Sequence, residues 1–330
     1  MKLALLKLAL LMLGACALVA LADDARVSGP VPGFVFDRST QSIRPIYGVP
    51  GASYLGPSVA DGFDAASISP LGISALATQS GKLYFIRNLD GGQPDSTPLD
   101  SAISGASQFA WGPDGVSASV YSAGSRQAQV LRNLDGRDSS KAPTIEDAID
   151  LSSLDGTVSA LAFDGKRLLI GATSADSGGV YLSDGKSAPQ FLAPAANPVA
   201  LSLDLAKGDL YIADQANNQI WMVRGYAGDA TPMLFADQRA GVSSPVGIRV
   251  SSDGRRLLIA NSGSRGIDAL DISTRATLAH IDVDFAPGRM ETLGSGSLSL
   301  MNFGGPDGPL YMLDGGGDLA VYFVPAGGVQ

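Results

Sequence analysis

Short apolar runs alternate with polar, glycine-rich breaks along the whole chain from about residue 33 onward. Residues 245–271, PVGIRVSSDGRRLLIANSGSRGIDALD, show the unit most clearly. Val246 to Val250 alternates, Asp253-Gly254 turns, and Leu257 to Ala260 runs apolar. Asn261 to Gly266 is a polar loop, and Ile267 to Leu270 starts a third run. Asp-Gly accepts the positive φ angles of a tight hairpin turn, so the stretch reads as two antiparallel hairpins. A sheet this small is not stable alone.

The same pattern returns in residues 63–106, 107–156, 157–196, 197–243, 244–287 and 288–325. The turn glycines after the first run, Gly72, Gly115, Gly165, Gly208, Gly254 and Gly296, are spaced by 43, 50, 43, 46 and 42 residues. A literal echo supports the repeat: Arg87-Asn88-Leu89-Asp90-Gly91 comes back as Arg132-Asn133-Leu134-Asp135-Gly136. A period of about 40–50 residues with four short strands is the pattern of a β-propeller. The expected fold is therefore all-β, a propeller of four-stranded antiparallel blades. Six full units favour six blades. Residues 23–62 read as half a blade that helps the ring close, with Phe34–Phe36 and Ile43–Tyr47 as strands. A seventh blade built partly from residues 30–50 is the alternative.

The first strands explain why the units need one another. Leu161 and Phe163 alternate with Ala160 and Ala162, and Leu201 and Leu203 with Ala200 and Ser202. Large residues on one face and small ones on the other let twisted sheets nest about an axis where space tapers.

Composition changes this picture in two ways. The 41 glycines lack a collagen period and fit many tight turns. The net charge of −9 works against nucleic acid and anionic lipid surfaces and leaves cations, proteins, peptides or glycans as partners. Oligomeric state is not legible. Residues 1–22 have the form of a secretory signal: Lys2 and Lys7, an apolar run from Leu8 to Leu21, and Ala20-Leu21-Ala22 before two aspartates. The apolar run is short for a membrane span. An exported protein is expected, with no span in the mature chain. The rival is a lipid anchor at Cys16 in Leu13-Gly14-Ala15-Cys16. Cys16 is the single cysteine, so a chain beginning at Asp23 has no disulfide and no thiolate metal site.

Leu210-Tyr-Ile-Ala-Asp214-Gln-Ala-Asn217-Asn-Gln-Ile220 resembles the NHL repeat, and Leu258-Ile-Ala-Asn261-Ser-Gly-Ser264 resembles the YVTN repeat. Phe34-Val-Phe-Asp37 and Ile43-Arg-Pro-Ile46-Tyr-Gly48 look like the opening of exported bacterial propellers of the broad NHL, YVTN, TolB-like and lactonase-like class. The resemblance implies a propeller. It also implies a structural role for Asp214, Asn217 and Asn261, bonding the backbone of the loop between second and third strands. It is weak for function, because such folds host unrelated activities.

Catalytic chemistry is sparse. There is one histidine, His280, which removes multi-histidine metal sites. No cofactor motif is evident. His280, Asp282 and Asp284 alternate in the last strand of their unit, so they share one face and form the candidate divalent-cation site. Charges that deter pairing at an exposed sheet edge are the stronger reading. The loops entering the first strands carry Gln108, Asn197, Ser244, Arg289 and Glu291, the candidate binding residues at the mouth of the channel. The expected function is a non-enzymatic binding or interaction scaffold acting through its loop face. The alternatives are a lactonase-like or other hydrolase with a carboxylate or metal site in the channel, and a structural component of the cell envelope. Three or more Asp, Glu or Asn side chains converging on the axis would favour the enzyme. An axis of small and apolar groups would favour binding.

Overall fold

The computed structural model describes residues 29–174, 178–294, 296–301 and 310–325. The signal-like segment and Cys16 lie outside the described residues. The rest is a β-propeller of seven antiparallel sheets, each formed by consecutive stretches of chain. The preference for six blades is corrected, and the alternative of seven is the one observed. The first blade is built from Gly33–Asp37, Ser42–Val49, Ala52–Leu55 and Ala60–Asp61. Its last two strands lie end to end along the same edge of Ser42–Val49. Strands of four and two residues carry little periodicity, which is why this segment reads as half a blade.

The innermost strands are Gly33–Asp37, Ala65–Ile68, Ala106–Trp111, Thr157–Phe163, Pro198–Asp204, Pro245–Val250 and Met290–Thr292, for blades 1 to 7. Each sheet then runs outward in chain order. In the third blade the outer strand is split into Thr144–Ile145 and Ile149–Asp150. This up-and-down course places the connections into the innermost strands at one end of the disc, called the upper end here. The turns from first to second strand lie at the lower end.

The core is divided among the interfaces between blades, and the second strands show why. In the fifth blade Leu210 and Ile212 pack toward the fourth, while Tyr211 and Ala213 pack toward the sixth. In the sixth, Leu257 and Ile259 face back and Leu258 and Ala260 face forward. Period-two alternation thus buries both faces of one strand. Burying a leucine contributes roughly 1.5–3 kcal/mol, and an isolated blade recovers none of it. The expected asymmetry of the first strands also appears. Leu161 and Phe163 pack toward the third blade and Ala162 toward the fifth, while Leu201 and Leu203 pack toward the fourth and Ala200 toward the sixth.

The ring closes by face packing. Leu293, Leu300, Met312 and Val324 of the seventh blade meet Val35, Ile46 and Leu55 of the first. One backbone bond, Leu55 N–H to Pro325 O at 3.0 Å, joins the outer strands. At the lower end, basic side chains reach carbonyls of the next blade. Arg132 donates to Gly165 O (2.8 Å), Lys207 to Gly254 O (2.7 Å), and Arg256 to Gly316 O and Gly317 O (both 2.7 Å). Near the axis the inner strands come too close for side chains on both. A Cβ at position 247 would sit 2.8 Å from Met290 Cβ and 2.9 Å from its nitrogen, so glycine is required there.

Candidate functional site

The seven innermost strands surround an axial channel of about 440 Å³. Its walls are mostly apolar or small. The two charged groups, Arg289 and Glu291, lie in the upper half with Gln108 and Ser159, while Ser67, Ser202 and Thr292 add polar side chains elsewhere along the wall. Arg289 directly precedes the innermost strand of the seventh blade, and Glu291 lies two residues on, on the same side of that strand. Both are exposed. Gln108 Nε2 donates to Val158 O at 2.7 Å, and Ser159 Oγ donates to Pro198 O at 2.6 Å, so both are committed to neighbouring backbone. Glu291 is engaged within the protein.

Toward the lower end the wall is Ile68, Trp111, Phe163 and Leu203, and Pro70, Pro113 and Leu205 form the rim. Trp111 Nε1 donates to Ser67 Oγ at 3.2 Å, which satisfies its one polar atom and leaves the ring against the channel. Leu205 is 46% exposed and Leu71, next to Pro70 in the chain, 44%, so the lower end carries exposed apolar side chains. Among the described lining residues Glu291 is the one carboxylate, Arg289 the one cation, and there is no histidine.

The other two mouth candidates stand apart from the channel wall. Asn197 is held in the loop before its strand: its N–H donates to Asp214 Oδ1 (3.0 Å), its Nδ2 to Gln215 Oε1 (3.0 Å), and its Oδ1 accepts from Thr173 (2.9 Å). Ser244 has φ +44°, and its N–H donates to Asn218 Oδ1 at 2.5 Å. Asn197 is consumed by loop geometry, and so is the backbone of Ser244, whose carbonyl accepts from Ser262 N–H and Oγ.

Asp214, Asn217 and Asn261 make a related set of bonds, in a different loop from the one expected. Asp214 accepts from the N–H groups of Ala196 and Asn197, both at 3.0 Å, and Asn217 Nδ2 donates to its Oδ2 at 2.8 Å. Asn261 Oδ1 accepts from Ser243 N–H at 2.9 Å. The backbone they bond is therefore chiefly the segment entering the innermost strand. Both loops share the upper end of the disc, so a side chain ending the second strand reaches either.

His280 lies on the outermost strand of the sixth blade, Thr277–Asp282, and Asp284 falls beyond its end. His280 Nδ1 is 2.8 Å from Asp268 Oδ1 and Nε2 is 3.1 Å from Asp282 Oδ1. Hydrogen bonding to Asp268, with Asp282 next, holds the imidazole pKa above its ordinary 6.5. Asp268 Oδ2 accepts from Asn261 Nδ2 at 2.7 Å. A chain of bonds thus crosses the blade from its edge to Ser243. Among the described residues no three His, Cys, Asp or Glu side chains group as a metal-ion site. Sequence reading missed Asp268 as a partner, and missed the lining residues Ser67 and Trp111. Trp111 sits in the first strand of its repeat, and that position was the available signal.

No family model matches the sequence, and no curated protein matches it. The fold, in contrast, has solved counterparts. A structure titled Kuenenia stuttgartiensis hydrazine synthase superposes with a TM-score of 0.58 at 13% identity, covering 91% of this chain and all (100%) of that one. A chain from the crystal structure of a nidogen/laminin complex superposes with a TM-score of 0.52 at 13% identity, covering 76% of this chain and 92% of that one. At such identity the likeness is one of architecture, and what the chain shares with these structures is the β-propeller fold.

Proposed function

We propose that this protein is an exported, non-enzymatic binding scaffold whose upper loop face meets a protein, peptide or glycan. The observation that carries the reading is the channel wall: apolar and small side chains with Glu291 as the one carboxylate among the described lining residues. A hydrolase built on a channel metal needs several convergent oxygen or nitrogen ligands, or a nucleophile with a base beside it. A rigid disc with its polar groups spent on loop geometry suits recognition better than turnover. The neighbour solved as a nidogen/laminin complex is compatible with a protein partner.

The lactonase-like alternative has Glu291 as its natural test residue. The purified protein is assayed against lactones, carboxylic esters and phosphodiesters, with calcium, zinc or manganese added. The scaffold reading expects no turnover above buffer. Turnover removed by Glu291→Gln would replace it with the enzyme. Cross-linking in intact cells then identifies the face in contact with a stoichiometric partner. The mass of the mature N-terminus distinguishes cleavage before Asp23 from lipidation of Cys16.

A further inference from the structure

We infer that the axial channel is itself a small-molecule site, which takes a monocarboxylate with an extended apolar body. This goes beyond the loop-face reading and rests on different residues. The channel is large enough: 440 Å³ lies within the range of small-ligand pockets, about 300–1,000 Å³. Its apolar wall is not closed against itself. Phe36, Phe109, Trp111, Leu161, Leu201 and Met290 all line it and all remain partly exposed. An apolar body laid along these side chains gains by displacing the water against them.

The tube has a direction. Its charged groups are above, and the two serines of its lower part are already engaged, Ser67 Oγ accepting from Trp111 Nε1 and Ser202 Oγ from Val250 N–H. An amphiphile fits with its chain down and its head at the upper mouth. The head is anionic because Arg289, the one cation of the lining, makes no hydrogen bond or ion pair among the described residues, whereas Glu291, the one carboxylate, is engaged within the protein. A planar guanidinium matches a carboxylate with two parallel donors. The innermost strand of the fourth blade has seven residues, which at about 3.3 Å each spans roughly 20 Å and accepts an extended chain.

The protein supplies its own reporter. It has two tryptophans, and one of them, Trp111, lines the channel. In a Trp221→Phe background, decanoate, 1-decanol and decyltrimethylammonium are titrated below their aggregation ranges while Trp111 emission is followed. Calorimetry on the wild-type protein gives independent constants. Decanoate is expected to change the emission saturably at one molecule per chain. Arg289→Gln is expected to weaken decanoate by roughly tenfold, the scale of one charge-assisted hydrogen bond, and to leave decanol unchanged. No saturable response in either measurement would overturn the site. Equal affinity for the ammonium amphiphile, or for decanoate after Arg289→Gln, would overturn the assignment of the head group. Hydrolysis of decanoate esters would remove the scaffold reading of the protein and leave the channel site standing.

Discussion

His280 and Asp268 face each other directly across the two outer strands of the sixth blade, Nδ1 to Oδ1 at 2.8 Å. Asp268 is nearly buried and His280 is 43% exposed, so the pair joins a wet edge to a dry interior. The histidine pKa is raised, chiefly by the bond to Asp268 and next by Asp282. A group with a raised folded pKa contributes stability that is fully present below its unfolded value, about 6.5, and is lost as pH rises through the folded value. The melting temperature of wild type should exceed that of His280→Gln most at about pH 5, and the gap should close on the alkaline side. A gap that widens with pH would contradict the pairing.

Asn261 is fully buried between Ser243 N–H and Asp268 Oδ2. Asn261→Ala orphans both, at a cost of about 1–3 kcal/mol for each buried group. Urea unfolding should show a lowered midpoint at unchanged slope. Asn261→Asp keeps the acceptor for Ser243 and sets a second carboxylate against Asp268, so its loss should shrink on acidification.

Ile46 is fully buried where the seventh blade meets the first. Ile46→Ala should cost about 2–5 kcal/mol, comparable to Leu76→Ala between the second and third blades. Were residues 33–61 a peripheral decoration, the first substitution would be mild and the second severe. Matching denaturation midpoints would confirm a closing blade of equal structural weight.

Arg249 reaches from the sixth blade into the seventh, donating to Leu298 O (2.5 Å), Ser299 Oγ (2.6 Å) and Gly296 O (2.7 Å). Burial holds its pKa below the ordinary value, yet arginine stays charged at neutral pH. Arg249→Met leaves the buried Ser299 Oγ without this donor, while Leu298 O keeps the Leu293 N–H, and should destabilise by about 1–3 kcal/mol. Amide exchange should quicken in residues 290–301 more than in the fifth blade. A uniform change across the ring would show that the arginine does not anchor that hairpin in particular.

The channel wall was only partly legible before the ring was seen. Gln108, Arg289 and Glu291 line it as expected for loops entering first strands. Asn197 and Ser244 occupy equivalent positions in sequence, but a bulge early in each of their strands, at 198–200 and 245–247, accompanies loops that hold Asn197 by its side chain and Ser244 by its backbone. Spacing along the chain does not reveal a bulge. Nor does it reveal which side chain lies opposite on a neighbouring strand, so Asp268 was invisible as the partner of His280.

The repeating alternation of large and small apolar residues was enough to establish a propeller, because a strand buried on both faces must carry apolar groups at both parities of its period. The blade count and the channel lining were decided in three dimensions. Ring closure depends on how every wedge packs against the next, and residues 33–61 close it with outer strands of four and two residues. Strands that short leave almost no periodic trace in the chain. The four-residue strand is held through Leu55 by the seventh blade, 238 to 269 residues further along, and Ala60 of the two-residue strand packs toward the second blade, so only the closed ring brings those contacts together.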